Sequence, residues 1–283
     1  MASFTNFATL SYNGGTTNSN TVTGEILETL SATKTAAKPT YGADEDVAYI
    51  ITLINSGTTP LSNLTITDDL GGYAVGENTV YPLAYKPDSI KYYINGVLQT
   101  TPTVTAGPPL SITGISVPAG GNATIVYEAD TTAFAPLAAG ETIVNNIAVT
   151  GTGIAAPVTA TETITTESRA RLGISKALSP TSVAENGRLT YTFVIENTGN
   201  TDANAAENVI FTDNFDPILS DLTVAYNGAA WTQGTDYTYD ETTGAFASLP
   251  GKITVPAATY TQNADGTFSV TPGTATLVIS GTV

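Results

Sequence analysis

Residues 47–57 read Val-Ala-Tyr-Ile-Ile-Thr-Leu-Ile-Asn-Ser-Gly, and residues 189–199 read Leu-Thr-Tyr-Thr-Phe-Val-Ile-Glu-Asn-Thr-Gly. In both stretches an apolar residue occupies every second position, and an Asn-x-Gly sequence follows. That period is typical of a strand with one buried face, and Asn-x-Gly is typical of a turn. The two stretches therefore predict the same β-strand in two copies of one repeat.

Further matching segments flank this strand in the same order in both copies. Lys34-Thr-Ala precedes the first copy, and Lys176-Ala-Leu precedes the second; Thr-Asp segments ending at Asp68 and Asp213 follow. Short alternating runs separated by turn signals are typical of β-sandwiches. We expect an all-β fold with two tandem immunoglobulin-like β-sandwich domains, at residues 29–167 and 168–283, the second without its closing strands.

A segment like the end of the first repeat also stands near the start of the chain. Residues 4–13 read Phe-Thr-Asn-Phe-Ala-Thr-Leu-Ser-Tyr-Asn and resemble residues 144–151, Val-Asn-Asn-Ile-Ala-Val-Thr-Gly, around a shared Asn-x-Ala. The second repeat has no such segment. We therefore expect residues 1–28 to be an N-terminal donor strand or hairpin that closes the second domain of a neighbouring copy. Alternation places one set of residues on the donated face: Phe4, Asn6, Ala8 and Leu10.

This arrangement predicts that the partner of the chain is another copy of itself. Donor and acceptor are different surfaces, so the contact propagates head to tail into a homopolymer. The formal net charge of −16 disfavours nucleic acid and anionic lipid as partners. The sequence contains no stretch that is long and apolar enough to span a bilayer, so we expect no membrane insertion.

The composition also removes several kinds of chemistry. The sequence has no Cys and no His, which excludes disulfides, thiolate metal sites and Ser-His or Cys-His catalysis. We expect no cofactor, no metal and no enzymatic activity on an external substrate. The first residues lack the basic and apolar regions of a signal peptide, so we expect synthesis in the cytoplasm without one.

The repeat resembles a tandem repeat of Gram-positive and archaeal surface proteins known as domain of unknown function eleven. The resemblance rests on Lys-Thr-Ala at Lys34, the Tyr-x-Ile-x-Leu-x-Asn-x-Gly run from Tyr49, Thr-x-Thr-Asp at Asp68 and Asn-x-Ala at Asn146. It covers most of the chain, because the second repeat matches at Lys176, Tyr191–Gly199 and Asp213. It implies an immunoglobulin-like sandwich and a structural role. Some members resemble subunits of clostridial spore appendages, which implies a mature location at the spore or cell surface.

Three polar residues of the first repeat point to covalent chemistry. Alternation along their strands turns Lys34, Asp68 and Asn146 toward the core. Burial favours the neutral amine of a lysine, and a neutral amine is a nucleophile. With an acid that shuttles protons, it can attack the Asn amide and form a Lys–Asn isopeptide bond with loss of ammonia. This combination is also known from sandwich domains of Gram-positive surface proteins.

Several alternatives stay open at this point. A buried Lys–Asp salt bridge with a hydrogen-bonded Asn explains the same residues without chemistry. Asn145 is the alternate acceptor, because it shares a face with Ile143 and Ile147, whereas Asp69 is an alternate acid that points outward. In the second repeat, Lys176 and Asp213 are expected to meet Asn6 from a neighbouring subunit.

The runner-up function is a monomeric adhesin or carbohydrate-binding module. Trp231 and the many tyrosines are compatible with sugar binding, although sandwich cores use aromatic residues routinely. Asp44, Glu45 and Asp46 form an acidic turn that is more typical of a solvated loop than of a calcium site.

Overall fold

The structure is a computed structural model that describes residues 2–26 and 29–283. Its regular structure consists of strands apart from one short 3-10 turn, which confirms the all-β prediction. The chain divides into two compact units. Unit 1 comprises Met1–Ala135 and Thr142–Thr165, and unit 2 comprises Pro136–Glu141 and Thr166–Val283. This division differs from the predicted domains in placing residues 136–141 with the second unit and the N-terminal residues with the first.

Eighteen strands lie between the start of the described chain and residue 166. In chain order they are β1 (Ala2–Asn6), β2 (Thr9–Tyr12), β3 (Gly15–Asn18), β4 (Val22–Ile26), β5 (Leu30–Ala36), β6 (Thr40–Tyr41), β7 (Asp46–Asn55), β8 (Leu61–Asp68), β9 (Tyr73–Val75), β10 (Asn78–Val80), β11 (Leu83–Tyr85), β12 (Lys91–Ile94), β13 (Val97–Leu98), β14 (Thr103–Thr105), β15 (Leu110–Val117), β16 (Asn122–Thr131), β17 (Thr142–Thr150) and β18 (Val158–Thr166).

The body of unit 1 is a sandwich of two six-stranded sheets. One sheet has the order β13-β12-β16-β7-β5, with β11 also paired to β16, and the other has the order β14-β15-β8-β17-β18-β6. The predicted alternation on β7 is confirmed, because Tyr49, Ile51 and Leu53 are fully buried. Their counterparts on the opposite sheet, such as Ile66 and Ile112, are also fully buried. Alternation on both sheets therefore produces one core between them.

Strand β17 closes the second sheet of unit 1. It lies between β8 and β18 and is antiparallel to both, with Ile147 opposite Asp68 on β8 and Asn145 opposite Glu162 on β18. Ile143, Ile147 and Val149 are buried. Both edges of β8 are thus paired, to β15 on one side and to β17 on the other.

Unit 2 contains ten strands and a 3-10 turn at Ala205–Glu207. The strands are β19 (Leu172–Ser179), β20 (Arg188–Asn197), β21 (Thr212–Asn214), β22 (Ser220–Tyr226), β23 (Ala229–Trp231), β24 (Tyr237–Asp240), β25 (Ala245–Ser248), β26 (Thr259–Gln262), β27 (Phe268–Thr271) and β28 (Gly273–Thr282).

The second sheet of unit 2 is open where that of unit 1 is closed. A five-stranded sheet of order β19-β20-β28-β22-β23 faces a three-stranded sheet of order β21-β25-β24. An aromatic cluster that includes Phe193, Phe211, Phe215 and Phe246 fills the core. Strand β21, the repeat counterpart of β8, pairs only with β25, so among the described residues its other edge has no partner.

The N-terminal residues form a hairpin of their own, which we call the donor hairpin (residues 2–26). Strand β1 pairs with β4, and β2 pairs with β3. Phe7 and Ala8 separate β1 from β2, where the pairing register shifts by one residue. All side chains from Phe4 to Thr23 are exposed. The ring of Phe4 lies across Gly24, since a Cβ at that glycine would stand only 2.4 Å from the Phe4 ring.

Candidate functional site

A buried ion pair lies at the centre of unit 1. Lys34 on β5 donates from Nζ to Oδ2 of Asp68 on β8 at 2.8 Å, and both side chains are fully buried. Oδ1 of Asp68 accepts the backbone N–H of Leu70 at 3.0 Å. Burial lowers the pKa of Lys34, although the nearby Asp68 carboxylate opposes that shift. The pair thus combines an ammonium group that burial makes easier to deprotonate with a carboxyl group that can take its proton.

Two tyrosines enclose this pair. Tyr49 and Tyr127 stack with ring centroids 5.5 Å apart, and the Lys34 ammonium lies 4.8 Å from the Tyr49 centroid. The Tyr127 hydroxyl donates a short hydrogen bond to Oδ2 of Asp68, the same oxygen that accepts from Lys34. Burial raises the pKa of both tyrosines, so their hydroxyls stay protonated near neutral pH.

The asparagine that faces this site is Asn145, so the predicted inward orientation of Asn146 is wrong. Asn145 is fully buried on the same face of β17 as Ile143 and Ile147. The larger aliphatic residues decide the orientation, because turning Asn146 inward would expose Ile143 and Ile147. The alternate acceptor, rather than the first choice, therefore lies on the core face.

The Asn145 amide has no hydrogen-bond partner among the described residues. Neither its oxygen nor its nitrogen is satisfied, although both atoms are buried. The hydroxyls of Tyr49 and Tyr127 lie near enough to the amide to moderate their pKa, but neither makes a hydrogen bond of normal geometry with it. A buried polar group without a partner costs about 1–3 kcal/mol, so its presence beside Lys34 and Asp68 calls for an explanation.

Asn146, by contrast, is fully satisfied on the opposite face. Its Nδ2 donates to Oδ2 of Asp69 at 2.7 Å, its backbone N–H donates to Oδ1 of Asp69 at 2.9 Å, and its Oδ1 accepts from the hydroxyl of Thr161 at 2.7 Å. Asn146 and Asp69 therefore fix β17 to β8 and β18, and they stand away from Lys34.

Unit 2 carries the same ion pair in an open setting. Lys176 on β19 donates to Oδ2 of Asp213 on β21 at 2.6 Å, but their side chains are 43% and 17% exposed. The position that Tyr127 holds in unit 1 belongs to Ile279 in unit 2, because Tyr49 pairs with Tyr127 and its counterpart Tyr191 pairs with Ile279. The carboxyl group of Asp213 consequently has no tyrosine hydroxyl from that strand.

A cleft runs beside this second pair, and we call it the acceptor cleft. Its volume is about 460 Å³. Leu172 and Ile174 on β19 and Ile210 before β21 line it with exposures of 41%, 58% and 54%, and Phe193 and Phe211 form its floor. The counterpart of Leu172 in unit 1, Leu30, is buried. The inner face of unit 2 is therefore accessible where that of unit 1 is covered.

The predicted donor residues lie in solvent in the single chain. Phe4, Asn6, Ala8 and Leu10 are exposed, and Phe4 and Leu10 have exposures of 52% and 65%. Asn6 is opposite Val22 in the β1–β4 pair. An isolated hairpin with two or more exposed large apolar side chains is marginal by itself, which favours a partner.

The other candidates have structural explanations. Glu45 pairs with Lys38, and Asp46 pairs with Lys86, which also reaches Glu128. Trp231 stacks on Tyr226 with centroids 5.1 Å apart. In the described part of the chain, no three His, Cys, Asp or Glu side chains gather in a way that could hold a metal ion. Over the same residues, no helix is long and apolar enough to cross a membrane.

Comparison with known proteins gives distant structural similarity only. No model of a protein family matches the sequence, so the resemblance to the tandem surface repeat stays a prediction. No curated protein matches it. The chain is similar to the major pilin subunit BcpA of Bacillus cereus, with 11% identity, 96% of this chain and 73% of the pilin covered, and a TM-score of 0.37.

Two further solved structures show the same level of similarity. For the 35 kDa C-terminal fragment of the major pilin GBS80 of Streptococcus agalactiae, the identity is 14%, the coverage 87% of this chain and 86% of the fragment, and the TM-score 0.35. For a family 123 glycoside hydrolase from Clostridium perfringens, the identity is 11%, the coverage 50% of this chain and 27% of the hydrolase, and the TM-score 0.32. With TM-scores this low, the function has to be argued from the site.

Sequence reasoning missed the two tyrosines of the site. Tyr127 stands on β16 between Ile125 and Ala129, and all three are fully buried. The same alternation that placed Tyr49 inward would have placed Tyr127 inward as well. Its contact with Asp68, however, joins strands of opposite sheets, which alternation alone does not reveal.

Proposed function

We propose that this chain is a structural subunit that polymerises head to tail, with the donor hairpin of one copy completing unit 2 of the next. The observation that carries the proposal is the difference between two equivalent edges. In unit 1, β17 covers the edge of β8 and buries the Lys34–Asp68 pair. In unit 2, no strand of the described chain pairs with the equivalent edge of β21, and the Lys176–Asp213 pair is partly open to solvent.

The acceptor side has the two properties that strand addition requires. The free edge of β21 has no strand partner among the described residues, and such an edge is the usual basis of this kind of recognition. The acceptor cleft offers exposed apolar side chains next to that edge, at Leu172, Ile174 and Ile210. A strand with alternating apolar residues would pair with the edge and fill the cleft in one step.

The donor side is complementary. Strands β1 and β4 are antiparallel, as β17 and β18 are, so the hairpin offers both missing strands in the right relation. Phe4 and Val22 are 52% and 55% exposed in the free hairpin. Burying each such side chain contributes about 1.5–3 kcal/mol, and each new backbone hydrogen bond adds about 0.5–1.5 kcal/mol. Because donor and acceptor are different surfaces, the contact repeats without limit.

Lys–Asn isopeptide bonds belong to the same proposal. In unit 1 the bond would join Lys34 to Asn145, with Asp68 as the proton shuttle, and the unsatisfied Asn145 amide supports this assignment. Between subunits, Asn6 would take the place of Asn145 and meet Lys176 beside Asp213. This register is shifted by one residue from the Asn-x-Ala alignment, which matches Asn6 with Asn146, and it places Phe4 and Ala8 where Ile143 and Ile147 stand in unit 1.

The biological setting follows from the resemblance of the repeat to surface-protein repeats. We propose that the mature polymer is located on the surface of a spore or cell. A filament of this kind needs no catalytic activity toward an external substrate. Its chemistry is confined to its own Lys, Asp and Asn side chains.

The donor half of the proposal is tested by electron microscopy and light scattering of purified protein with single substitutions. Phe4→Asp places a charge on the donated face and should abolish filaments. Thr5→Asp places the same charge on the opposite face of β1 and should leave them intact. Filaments of normal length from the Phe4→Asp protein would refute donation by this face.

The acceptor half is tested in the same way with a matched pair in unit 2. Ile210 lines the acceptor cleft and is 54% exposed, while Ile218 lies outside it and is 43% exposed. Ile210→Asp should stop assembly, and Ile218→Asp should not. Equal assembly by the two variants would exclude the acceptor cleft as the docking surface.

A further inference from the structure

We propose that Tyr127 is a positioning residue for isopeptide formation in unit 1, and that Ile279 in its place leaves the Lys176–Asp213 pair of unit 2 less reactive. This inference rests on the isopeptide part of the proposed function. The part that concerns Tyr127 does not depend on filament assembly, because Tyr127, Asp68, Lys34 and Asn145 all lie in unit 1 of one chain. An experiment that contradicts the role of Tyr127 would therefore leave head-to-tail assembly standing, and the reverse also holds.

The hydrogen bonds of Asp68 define the geometry. Oδ2 accepts from both Lys34 Nζ and the Tyr127 hydroxyl, and Oδ1 accepts from the N–H of Leu70. Three donors from three different strands or turns therefore hold one carboxyl group in a single orientation. Lys34 and Tyr127 lie on β5 and β16, the two strands that flank β7, so they reach the carboxyl group from either side of the strand that carries Tyr49.

The reaction balances with the groups present. The Lys34 ammonium transfers one proton to Asp68, and the neutral Nζ attacks Cγ of Asn145. The carboxylic acid returns that proton to the amide as the tetrahedral intermediate forms. The C–Nδ2 bond then breaks, and Asp68 relays a second proton from Nζ to the leaving nitrogen. As the carbonyl re-forms, its oxygen returns the first proton through Asp68 to the released ammonia, which leaves as ammonium. The third proton of the original lysine ammonium stays on the nitrogen of the new Lys–Asn amide.

The role of Tyr127 is to keep Oδ2 aimed between the nucleophile and the amide while protons move. A hydroxyl that donates to a carboxylate stabilises its charged form, and proximity in the correct orientation is a large part of any such rate. Removing the hydroxyl frees the carboxyl group to rotate, which slows a reaction that needs Asp68 Oδ2 to accept and release protons in one orientation.

Unit 2 provides the natural comparison. The Lys–Asp distance is retained at 2.6 Å, so the ion pair itself is intact. Ile279 is fully buried at the position of Tyr127 and has no hydroxyl. The other bond of Asp213 comes from the N–H of Asn214 at 2.9 Å. We therefore expect the internal bond of unit 1 to form first and independently of assembly.

The test uses the full chain with three variants. Tyr127→Phe keeps the ring and removes only the hydroxyl. Tyr127→Ile copies unit 2. Tyr92→Phe is the matched control, because its hydroxyl is bonded to the backbone oxygen of Ser116 at 2.8 Å, away from Asp68, in the same unit. The loss of one ammonia is followed by intact mass spectrometry after refolding, at a series of pH values, with circular dichroism to confirm folding.

The expected results separate positioning from stability. Tyr127→Phe should slow ammonia loss by about 10- to 100-fold and change the pH profile of the rate, whereas Tyr92→Phe should match the wild type in both. A purely structural role would lower stability in both variants without moving the pH profile. Wild-type rates in a folded Tyr127→Phe protein, or a wild-type mass without ammonia loss, would overturn the inference, while filaments seen by microscopy would leave head-to-tail assembly intact.

Discussion

Asn145 and Asn146 are consecutive residues of β17 that face opposite sides of the sheet and differ completely in their bonding. The side chain of Asn146 makes hydrogen bonds with Asp69 and Thr161, while neither amide atom of the fully buried Asn145 has a partner. Asn146 therefore has a structural function that accounts for all its polar atoms. The Asn145 amide, by contrast, is buried near Lys34 and Asp68 without a hydrogen-bond partner among the described residues.

This contrast gives the first prediction. Asn145→Ala should yield a protein whose mass shows no loss of ammonia in unit 1, because the acceptor carbonyl is gone. Asn146→Ala should still lose ammonia, although the loss of its bonds to Asp69 should lower the free energy of unfolding by about 1–3 kcal/mol. Peptide mapping after proteolysis identifies the cross-linked pair. A cross-link at residue 146 would reverse the assignment.

The second prediction compares the two lysines. Lys34→Met leaves the fully buried Asp68 carboxyl without its counter-ion, which typically costs about 3–5 kcal/mol. Lys176→Met breaks a pair whose lysine is 43% exposed, and such pairs contribute about 0–1 kcal/mol. Denaturant unfolding followed by circular dichroism should therefore show a large loss of stability for the first variant and a small one for the second. Similar losses would mean that the two sites do not differ in burial.

The alternating pattern accounts for much of the fold but not for its open edge. Val47, Tyr49, Ile51 and Leu53 are buried as their spacing predicts. The same rule misassigned Asn146, because β17 carries apolar residues on both faces, among them Val144, which is 47% exposed. Periodicity alone does not decide which face of such a strand is buried. The larger side chains of Ile143 and Ile147 decide it.

The sequence predicted some residues of the candidate site and not others, because alternation shows which side chains face the core but not which of them meet there. Lys34 and Asp68 were found because each lies on a strand with clear alternation. Tyr127 was missed because its contact with Asp68 is made across the core, between sheets. Pairings across a sandwich depend on how the sheets stack, and that information is spread over many residues rather than contained in one motif.

The third prediction concerns alkaline pH. Burial raises the pKa of Tyr49 and of Tyr127 above the usual value near 10. Above that pH the unfolded chain loses these protons and the folded chain keeps them, so the stabilising contribution is complete at lower pH and falls as pH rises. The slope is about 1.4 kcal/mol per pH unit for each tyrosine.

The measurement is the free energy of unfolding from about pH 9 to about pH 12, a range that brackets the usual tyrosine pKa. The wild type should lose stability steeply across this range. Tyr127→Phe should show a shallower slope, since one buried hydroxyl is missing. An identical slope in the wild type and the Tyr127→Phe protein would contradict the shift.

The fourth prediction concerns Gly24 in the donor hairpin. The Phe4 ring lies across this glycine, so Gly24→Ala places a methyl group where the nearest ring atom stands 2.4 Å away. The ring is 52% exposed and can move aside at little cost, so the stability of the monomer should not change. The methyl group would, however, displace Phe4, the largest side chain of the donated face. Filaments of the Gly24→Ala protein should therefore grow several-fold more slowly, as followed by light scattering.

A second substitution tests this explanation. Phe4→Leu combined with Gly24→Ala should recover part of the growth rate, because the smaller side chain clears the methyl group. Unchanged growth by the single variant would show that the docked hairpin does not use Phe4 in this position.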